Sequence, residues 1–360
     1  MISLVLVVCM LIPICLTVHA TGENVNSFES EVADRIEQIV SVSYSAFPGE
    51  YEVKDSFALY NADTTCIYYI IPIFRDQECV GRVELDVSGN VTLTDDTTLY
   101  TEIAKLPSAA YLLYTTGGIV YAEFPEEVIE LYDSGFELPI NEEFTSLSYA
   151  DKVEATEVCL ETVTSGFDFS AVIEEIELIC TFDTVQARVA IEPIVESQTC
   201  AITDFVKQNG YNICWAACVA TIANFKNGSS LTAEGVATAM GQNYTSSTYL
   251  GANTETTIAA LSLYGLTDNN ISGKTVWTNL KNNIKNDRPF IIFIFSANKA
   301  NGHALTGYGY SCHTGDDDLY ANSRYVYVWD PNGYKLTFQY NATSYSLNGY
   351  SWKWTNTIMD

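Results

Sequence analysis

Basic side chains are scarce in this chain of 360 residues, and their scarcity excludes two classes of partner. Lys and Arg number 17 against 45 Asp and Glu, which gives a formal net charge of −28 at pH 7. A nucleic-acid binder needs a basic face to contact phosphates, and this composition does not provide one. The same acidic excess argues against stable association with an anionic membrane. We therefore expect neither nucleic acid nor a membrane surface as a partner.

Long hydrophobic runs are missing after residue 20. The best apolar stretch beyond that point, Pro289 to Phe295, has the length of a strand rather than of a membrane span. Residues 1–20 differ, because an apolar stretch precedes Val18 and Ala20, which suit positions −3 and −1 of a cleavage site. We predict a signal peptide over 1–20 and a secreted, extracellular protein. An N-terminal membrane anchor is the alternative, because no Lys or Arg precedes the apolar stretch.

The acidic excess is confined to one part of the chain. Residues 21–200 hold 35 acidic and 7 basic side chains, whereas residues 201–360 hold 10 of each. Regions with such different surfaces predict two structural units. The length suits one large domain or two moderate ones, each with enough residues for a core.

Residues 21–135 have the pattern of a small acidic α+β unit. We predict a helix over 28–46, an antiparallel meander with strands at 66–74, 81–87 and 91–93, a hairpin over 111–122, and a short acidic helix over 125–132. Residues 136–200 are predicted to be an acidic linker, with helical patterns at 151–162 and 169–180.

The pattern changes at residue 201, where charges become few and Asn, Tyr, Thr and Gly become frequent. We predict helices over 212–225, 232–240, 254–264 and 275–286, followed by strands at 290–295, 303–310, 325–330, 336–340 and 350–354. A run of helices followed by a run of strands indicates an α+β fold for residues 201–360.

Cys214 is the candidate nucleophile. Asn212 is a candidate N-cap, which would place Cys214 in the first turn of a helix. Unpaired backbone N–H groups and the positive end of the helix dipole both favour the thiolate there, and the thiolate is the nucleophilic form. A buried, inert cysteine is the ordinary alternative.

A thiolate nucleophile needs a base, and only two histidines remain after the predicted cleavage. His303 opens an apolar strand after Gly302, whereas His313 is predicted to lie in a polar loop beside Gly315 and Asp316–Asp318. A catalytic histidine should be held by regular structure, so His303 is favoured. Asp330, at the end of a strand, is the candidate to orient the imidazole, and Asn332 is the alternative.

Gln208 completes the candidate site. It lies six residues before Cys214, so its side-chain amide and the Cys214 backbone N–H could form an oxyanion hole. Ordinary surface chemistry is the alternative for Gln208, as ordinary turn chemistry is for Asp330.

These motifs together resemble the papain-like cysteine peptidases. The segments are Gln208, Cys214-Trp-Ala-Ala, Gly302-His-Ala-Leu and Trp329-Asp-Pro-Asn, in that order, and the resemblance covers about residues 201–345. It is strongest to the secreted bacterial branch around staphopain and the bacteriocin-processing, double-glycine peptidase-like proteins. It implies a papain-like fold, with Cys214 as nucleophile, His303 as base, Asp330 as orienting residue and Gln208 in the oxyanion hole. Asp330 departs from the Asn of staphopain-type and papain-type enzymes but agrees with the Asp of the double-glycine peptidases.

The resemblance also implies a function for the whole chain. We expect a secreted cysteine endopeptidase, made as a proenzyme, that acts on peptides or proteins without cofactor or metal. Residues 21–135 would be its acidic α+β pro-domain and residues 136–200 a linker or pro-segment. Together they would be its own intramolecular inhibitor, removed by cleavage between Ile191 and Gln208. A thiol acyltransferase, a cell-wall peptide amidase and a catalytically inactive binding protein are the alternatives.

Two metal sites are alternatives that the residue spacing disfavours. Cys214, Cys218 and His303 would need a fourth ligand to hold zinc, and their spacing is not the usual Cys-x2-Cys. Asp316–Asp318 lacks the spaced oxygen ligands of a calcium loop.

Secretion would permit disulfides among the eight cysteines after residue 20. A Cys66–Cys79 bridge is disfavoured because a hairpin turn near Asp76 would place Cys79 opposite Phe74, and Cys159–Cys180 stays open.

Overall fold

A computed structural model describes most of the chain. The described residues are 27–44, 51–53, 56–135, 138–163, 169–173, 195–267, 269–296, 302–313 and 323–359. The predicted signal peptide, Cys180 and the candidate calcium loop Asp316–Asp318 lie outside them. The mixed α+β organisation expected from the sequence is confirmed. Among the described residues, no helix is long and apolar enough to cross a membrane.

The chain divides into two compact units whose boundaries do not follow the order of the sequence. Unit 1 contains the described residues up to 37, those from 51 to 89, and those from 96 to 173. Unit 2 contains residues 38–44, residues 90–95 and the described residues from 195 onward. Two short segments of the predicted pro-domain therefore belong to the same unit as the predicted peptidase.

Unit 1 is a sheet with short helices. Its strands are β1 (Glu52–Val53), β2 (Phe57–Asn61), β3 (Cys66–Arg75), β4 (Glu78–Asp86), β6 (Leu112–Thr116), β7 (Ile119–Glu123) and β8 (Val128–Asp133), and their order is β4-β3-β2-β6-β7-β8 with β1 on β3. Its helices are the first part of α1 (Ser27–Tyr44), α2 (Thr98–Ile103), α3 (Glu142–Thr145) and α4 (Tyr149–Val163), and residues 169–173 are also helical.

The sequence predicted α1, α4 and the strands β3, β4, β6 and β7, but it missed β1, β2, α2 and α3 and misjudged β8. The hairpin of β3 and β4 turns at Asp76 and Gln77, and Cys79 lies opposite Phe74 as expected. The short acidic helix predicted over Pro125–Tyr132 is wrong, because β8 occupies this stretch and pairs antiparallel with β7. Leu131 is buried in the sheet core, and this tertiary pairing outweighs the weak helical pattern of the acidic residues.

Unit 2 is built on one sheet. Its strands are β5 (Val91–Thr94), β10 (Asn269–Ser272), β11 (Phe290–Ser296), β12 (Gly302–His313), β13 (Tyr325–Asp330), β14 (Tyr334–Gln339) and β16 (Tyr350–Met359). Their order in the sheet is β10-β16-β11-β12-β13-β14-β5. β9 (Val195–Thr199) pairs with β12, and β15 (Tyr345–Leu347) pairs with β16. The third strand of the predicted meander, β5, pairs with β14 in this unit.

Four helices of unit 2 precede most of its strands. They are α5 (Cys214–Asn227), α6 (Ala233–Ala239), α7 (Thr254–Leu263) and α8 (Trp277–Lys285), all close to the predicted bounds. α5 is rich in alanine, nine consecutive residues of it are buried, and it ends at Gly228 in the left-handed conformation that glycine favours. Its buried face packs on Ile291, Phe293 and Ala304 of the sheet, so the start of α5 lies beside the start of β12.

Candidate active site

Cys214 is the first residue of α5. The preceding residue Ile213 is the N-cap and makes no side-chain cap hydrogen bond, so the prediction of Asn212 as N-cap is wrong. Asn212 Nδ2 instead donates to the Tyr249 carbonyl at 3.1 Å, which ties the approach to the helix onto a neighbouring loop. Trp215 is fully buried and its Nε1 donates to Tyr249 Oη at 3.1 Å. These contacts fix the first turn, and Cys214 itself stays half-buried.

His303 lies at the start of β12, against Cys214. The backbone N–H of the next residue, Ala304, donates to Cys214 Sγ at 3.4 Å, which places this strand end on the thiol. Gly302 precedes it, and a Cβ there would fall 2.7 Å from the ring of Phe295. Any larger residue at position 302 would therefore require the Phe295 ring to move.

Asp330 ends β13 and holds the His303 ring. Asp330 Oδ1 and His303 Nε2 are 2.8 Å apart, and both side chains are almost fully buried. The backbone N–H of Asn332 also donates to Asp330 Oδ1 at 2.8 Å, so the carboxylate is oriented from two sides. A carboxylate bonded to one ring nitrogen fixes the orientation of an imidazole and the nitrogen that carries its proton.

The electrostatics of His303 favour the imidazolium. Burial by itself lowers the pKa of His303, but the charges of Asp330 and Cys214, with hydrogen bonds to both, outweigh burial and raise it above the ordinary 6.5. A carboxylate beside an imidazole acts in this direction because it stabilises the positive charge. The site can therefore keep a proton on His303 at neutral pH, ready to be transferred to a leaving group.

Gln208 lies beside the turn that follows β13. Its Nε2 donates to Asn332 Oδ1 at 2.6 Å and its backbone N–H donates to the Pro331 carbonyl at 3.0 Å. The side chain is 5% exposed, and its Oε1 has no hydrogen-bond partner among the described residues. A glutamine amide carries two N–H groups, so the bond to Asn332 leaves one for another acceptor.

The segment before Gln208 is held to β13 by aromatic contacts. The rings of Phe205 and Trp329 stack with centroids 4.8 Å apart, and Trp329 Nε1 donates to the Val206 carbonyl at 3.2 Å. Gln208 is thus fixed to the same strand end that carries Asp330. The sequence identified Gln208 and Asp330 as candidates, but it gave no signal of the bond between Gln208 and Asn332.

Asn332 and His313 are the alternatives to Asp330 and His303 that the sequence leaves open. Asn332 contacts Asp330 and Gln208, whereas the hydrogen bond to the His303 ring comes from Asp330. His313 is the last residue of β12 rather than part of a polar loop. It lies ten residues beyond His303 on the same strand, a separation of about 30 Å at the strand rise per residue. The structure therefore brings His303, and not His313, to Cys214 and Asp330.

Disulfide formation and metal binding are the other roles open to the cysteines of this chain. No disulfide joins any two of the seven described cysteines after residue 20. Cys218 is fully buried, and burial raises the pKa of its thiol well above the ordinary value. Across the described ranges, no three His, Cys, Asp or Glu side chains are grouped so that they could hold a metal ion.

Comparison with known proteins points in the same direction as this geometry. Residues 201–358 match the family model described as Peptidase_C39 like family. The matched segment contains Gln208, Cys214, His303 and Asp330, and the match supports a cysteine peptidase of the hydrolase class at the level of family similarity. The comparison with curated proteins gave no match.

Proposed function

We propose that this protein is a secreted cysteine endopeptidase with a papain-like catalytic domain, and that Cys214, His303 and Asp330 are its catalytic triad. The observation that carries the proposal is the convergence of three chain segments on one point. The start of α5 brings the thiol, the start of β12 brings the imidazole and the end of β13 brings the carboxylate. The family match over residues 201–358 supports the same chemistry.

The proposed reaction begins with attack by the Cys214 thiolate on a peptide carbonyl carbon. The carbonyl oxygen becomes an oxyanion, which the second Gln208 N–H and the backbone N–H of Cys214 would stabilise. The tetrahedral intermediate collapses, the carbon–nitrogen bond breaks, and the His303 imidazolium gives its proton to the leaving amine. The first product is a thioester between Cys214 and the acyl part of the substrate.

Deacylation completes the cycle. His303, now neutral, takes a proton from water as the oxygen attacks the thioester carbonyl, and Cys214 leaves as a thiolate. Asp330 keeps the imidazole oriented through both halves and stabilises its charged form. The cycle consumes one water and one peptide bond and uses no cofactor.

The experiment that tests this function is peptide hydrolysis by the wild type and by Cys214→Ala. The variant should lose hydrolysis and also its labelling by a thiol-directed epoxide, because it lacks the nucleophile. Cys218→Ala is the matched control, since Cys218 lies one turn further along α5 and is fully buried. Unchanged hydrolysis by Cys214→Ala would refute the proposal. Product analysis with an added amine acceptor separates a peptidase from an acyltransferase, because an acyltransferase transfers the acyl group mainly to the amine and a peptidase transfers it mainly to water.

We further propose that the protein is exported by cleavage after Ala20 and is made as a proenzyme. Residues 21–200 would restrain the peptidase until the chain is cut between Ile191 and Gln208. N-terminal sequencing of the extracellular protein tests both statements, because it identifies the first residue after each cleavage. A full-length chain that stays intact and is fully active would rule out the inhibitory role.

A further inference from the structure

Two segments of the N-terminal region complete the sheet of unit 2. They are residues 38–44, which form the second part of α1, and the strand β5 at residues 91–94. Both lie far outside the segment 201–358 that matches the peptidase family. The family match therefore covers less of the chain than unit 2 contains, and the difference comes from the predicted pro-domain.

β5 covers one side of β14 with regular strand pairing. The register sets Thr92 opposite Phe338 and Thr94 opposite Leu336, in antiparallel orientation. All four residues of β5 are buried. Without β5, the N–H and C=O groups on this side of β14 would lose their strand partner. An exposed edge of this kind is a site of unwanted pairing, which folded proteins usually cover.

Polar contacts fix β5 at both ends. Beyond its last residue, the Asp95 N–H donates to the Lys335 carbonyl at 3.1 Å, and the Lys335 N–H donates to Asp95 Oδ1 at 2.7 Å. Before its first residue, Asn90 Nδ2 donates to Ser344 Oγ at 3.0 Å. These bonds extend the attachment of the N-terminal segment beyond the strand itself.

The second part of α1 is attached to β13 and β14. Tyr327 Oη donates to the Val42 carbonyl at 3.1 Å, and Ser43 Oγ lies 2.7 Å from Thr337 Oγ1. Tyr327 and Asp330 are three residues apart on a regular strand, so their side chains point to opposite faces. The helix is therefore held on the face of β13 that does not carry the catalytic carboxylate.

We infer that residues 38–44 and β5 remain bound to unit 2 after the chain is cut, so that the mature peptidase is a non-covalent complex of two pieces of this chain. The inference deepens the proposed function and rests on it, because the cut is part of that proposed function. The N-terminal piece is then a permanent structural partner of the peptidase rather than an inhibitor that dissociates. Release of activity comes from the cut itself, since the attached segments do not leave.

The experiment uses the full chain without its signal peptide, in a Cys214→Ala background that prevents self-cleavage. The recognition sequence of a specific protease is inserted between positions 191 and 192, within the proposed cleavage range, and the folded protein is cut. Size-exclusion chromatography with mass detection should show both pieces eluting together at the mass of the intact chain. Separation of the two pieces in native buffer overturns the inference. Because Cys214→Ala lacks the nucleophile, the result is independent of whether the protein is a peptidase.

Variants test whether residues 38–44 and β5 are the segments that keep the two pieces together. Leu93→Pro removes a backbone N–H from β5 and should cause the pieces to separate after cutting. Because that change also threatens folding, Ser43→Ala combined with Tyr327→Phe provides a milder test, since it deletes two hydroxyl groups. The pieces of this double variant should separate at a lower urea concentration than those of the parent. Lys105→Ala is the control, because it breaks only an exposed ion pair with Glu102 in unit 1. If the pieces of the parent, of the double variant and of Lys105→Ala all separated at the same urea concentration, the role of α1 would be contradicted.

Discussion

Asn332 Oδ1 accepts a 2.6 Å hydrogen bond from Gln208 Nε2, and this bond links the proposed oxyanion donor to the strand end that carries Asp330. The two residues are 124 positions apart in the chain. The backbone N–H of Asn332 donates to Asp330 at the same time, so one residue contacts both the proposed orienting carboxylate and the proposed oxyanion donor. We therefore regard Asn332 as a positioning residue of the site.

The first prediction concerns these two residues. Gln208→Ala should lower kcat by about 10²- to 10³-fold, which is typical for loss of one oxyanion donor. Asn332→Ala should lower kcat by up to about 10²-fold with little change in KM, because it misplaces the amide without removing it.

A double-mutant cycle shows whether Asn332 acts through Gln208. If it does, the double variant loses no more activity than Gln208→Ala alone, because the second change has nothing left to disturb. Asn279→Ala, at an exposed position of α8, is the control. Effects of Gln208→Ala and Asn332→Ala that add fully would contradict the role assigned to Asn332.

The second prediction is a change in pH dependence. Asp330→Asn removes the negative charge that helps to raise the pKa of His303, while the burial that lowers this pKa remains. The pKa of His303 should fall, so the imidazolium is lost at a lower pH. The alkaline limb of the kcat/KM profile should move towards acid, together with a lower maximum. Asp34→Asn, an exposed carboxylate on α1, should leave the profile unchanged. An unmoved alkaline limb in Asp330→Asn would show that Asp330 does not set the charge of His303.

The raised pKa of His303 also makes the stability of the folded protein depend on pH. Because the pKa of folded His303 lies above its ordinary value of 6.5, the stabilisation it provides is complete below pH 6.5. It is lost as the pH rises through the raised pKa. The stability difference between the wild type and His303→Gln should therefore shrink on the alkaline side, as measured by urea unfolding across pH.

The third prediction concerns the attachment of β9 in unit 2. Hydrogen bonds from Lys281 and Lys285, helped by one from Tyr310, lower the pKa of Glu196 to about 2. A depressed folded pKa contributes stability above the ordinary value, and this contribution is lost as the pH falls through the folded value. Glu196→Gln should lower the free energy of unfolding by about 1 kcal/mol at pH 7, because the ion pairs are partly exposed.

The pH dependence of that loss distinguishes it from a packing effect. The difference between the wild type and Glu196→Gln should diminish from pH 4.5 towards pH 2, as followed by chemical unfolding. Glu157→Gln, at an exposed position of α4, is the matched control. A loss of stability that is independent of pH would mean that Glu196 stabilises β9 by contacts other than its charge.

The fourth prediction tests the close packing of β12 on β11. A Cβ on Gly307 would overlap the ring of Phe290, which is fully buried. Gly307→Ala should therefore destabilise unit 2 by about 1 to 3 kcal/mol, the usual cost of overpacking. Phe290→Leu in the same chain should recover part of the loss, because it makes room for the added methyl group. Equal stability of the wild type and Gly307→Ala would show that the two strands are less tightly packed than described.

Much of unit 2 could be predicted because its elements carry local signals. β13 has the predicted bounds of 325–330, since its apolar run ends at Asp330 and a turn with Pro331 follows. The start of α5 was predicted to within two residues, but its N-cap was wrong because a tertiary bond to Tyr249 engages Asn212. Local sequence patterns therefore identified the residues of the candidate triad. They did not reveal the hydrogen bonds that hold the residues around it.

The features that the sequence did not reveal depend on contacts between distant residues. β8 was misjudged because its acidic residues resemble a helix until β7 provides a partner. The place of β5 beside β14 joins residues about 240 positions apart. No local periodicity specifies such a pairing, because the strand pattern of β5 fits any sheet with a free edge. The same limitation applies to the bond between Gln208 and Asn332.

The most direct measurement of the central claim is the position and rate of covalent modification by a thiol-directed epoxide. Peptide mapping by mass spectrometry should place the adduct on Cys214 and leave Cys218 unmodified, since burial raises the pKa of the Cys218 thiol. His303→Ala should slow the labelling of Cys214, because the base that activates the thiol is gone. An adduct on another cysteine, or equal labelling rates in the wild type and His303→Ala, would contradict a catalytic pair of Cys214 and His303.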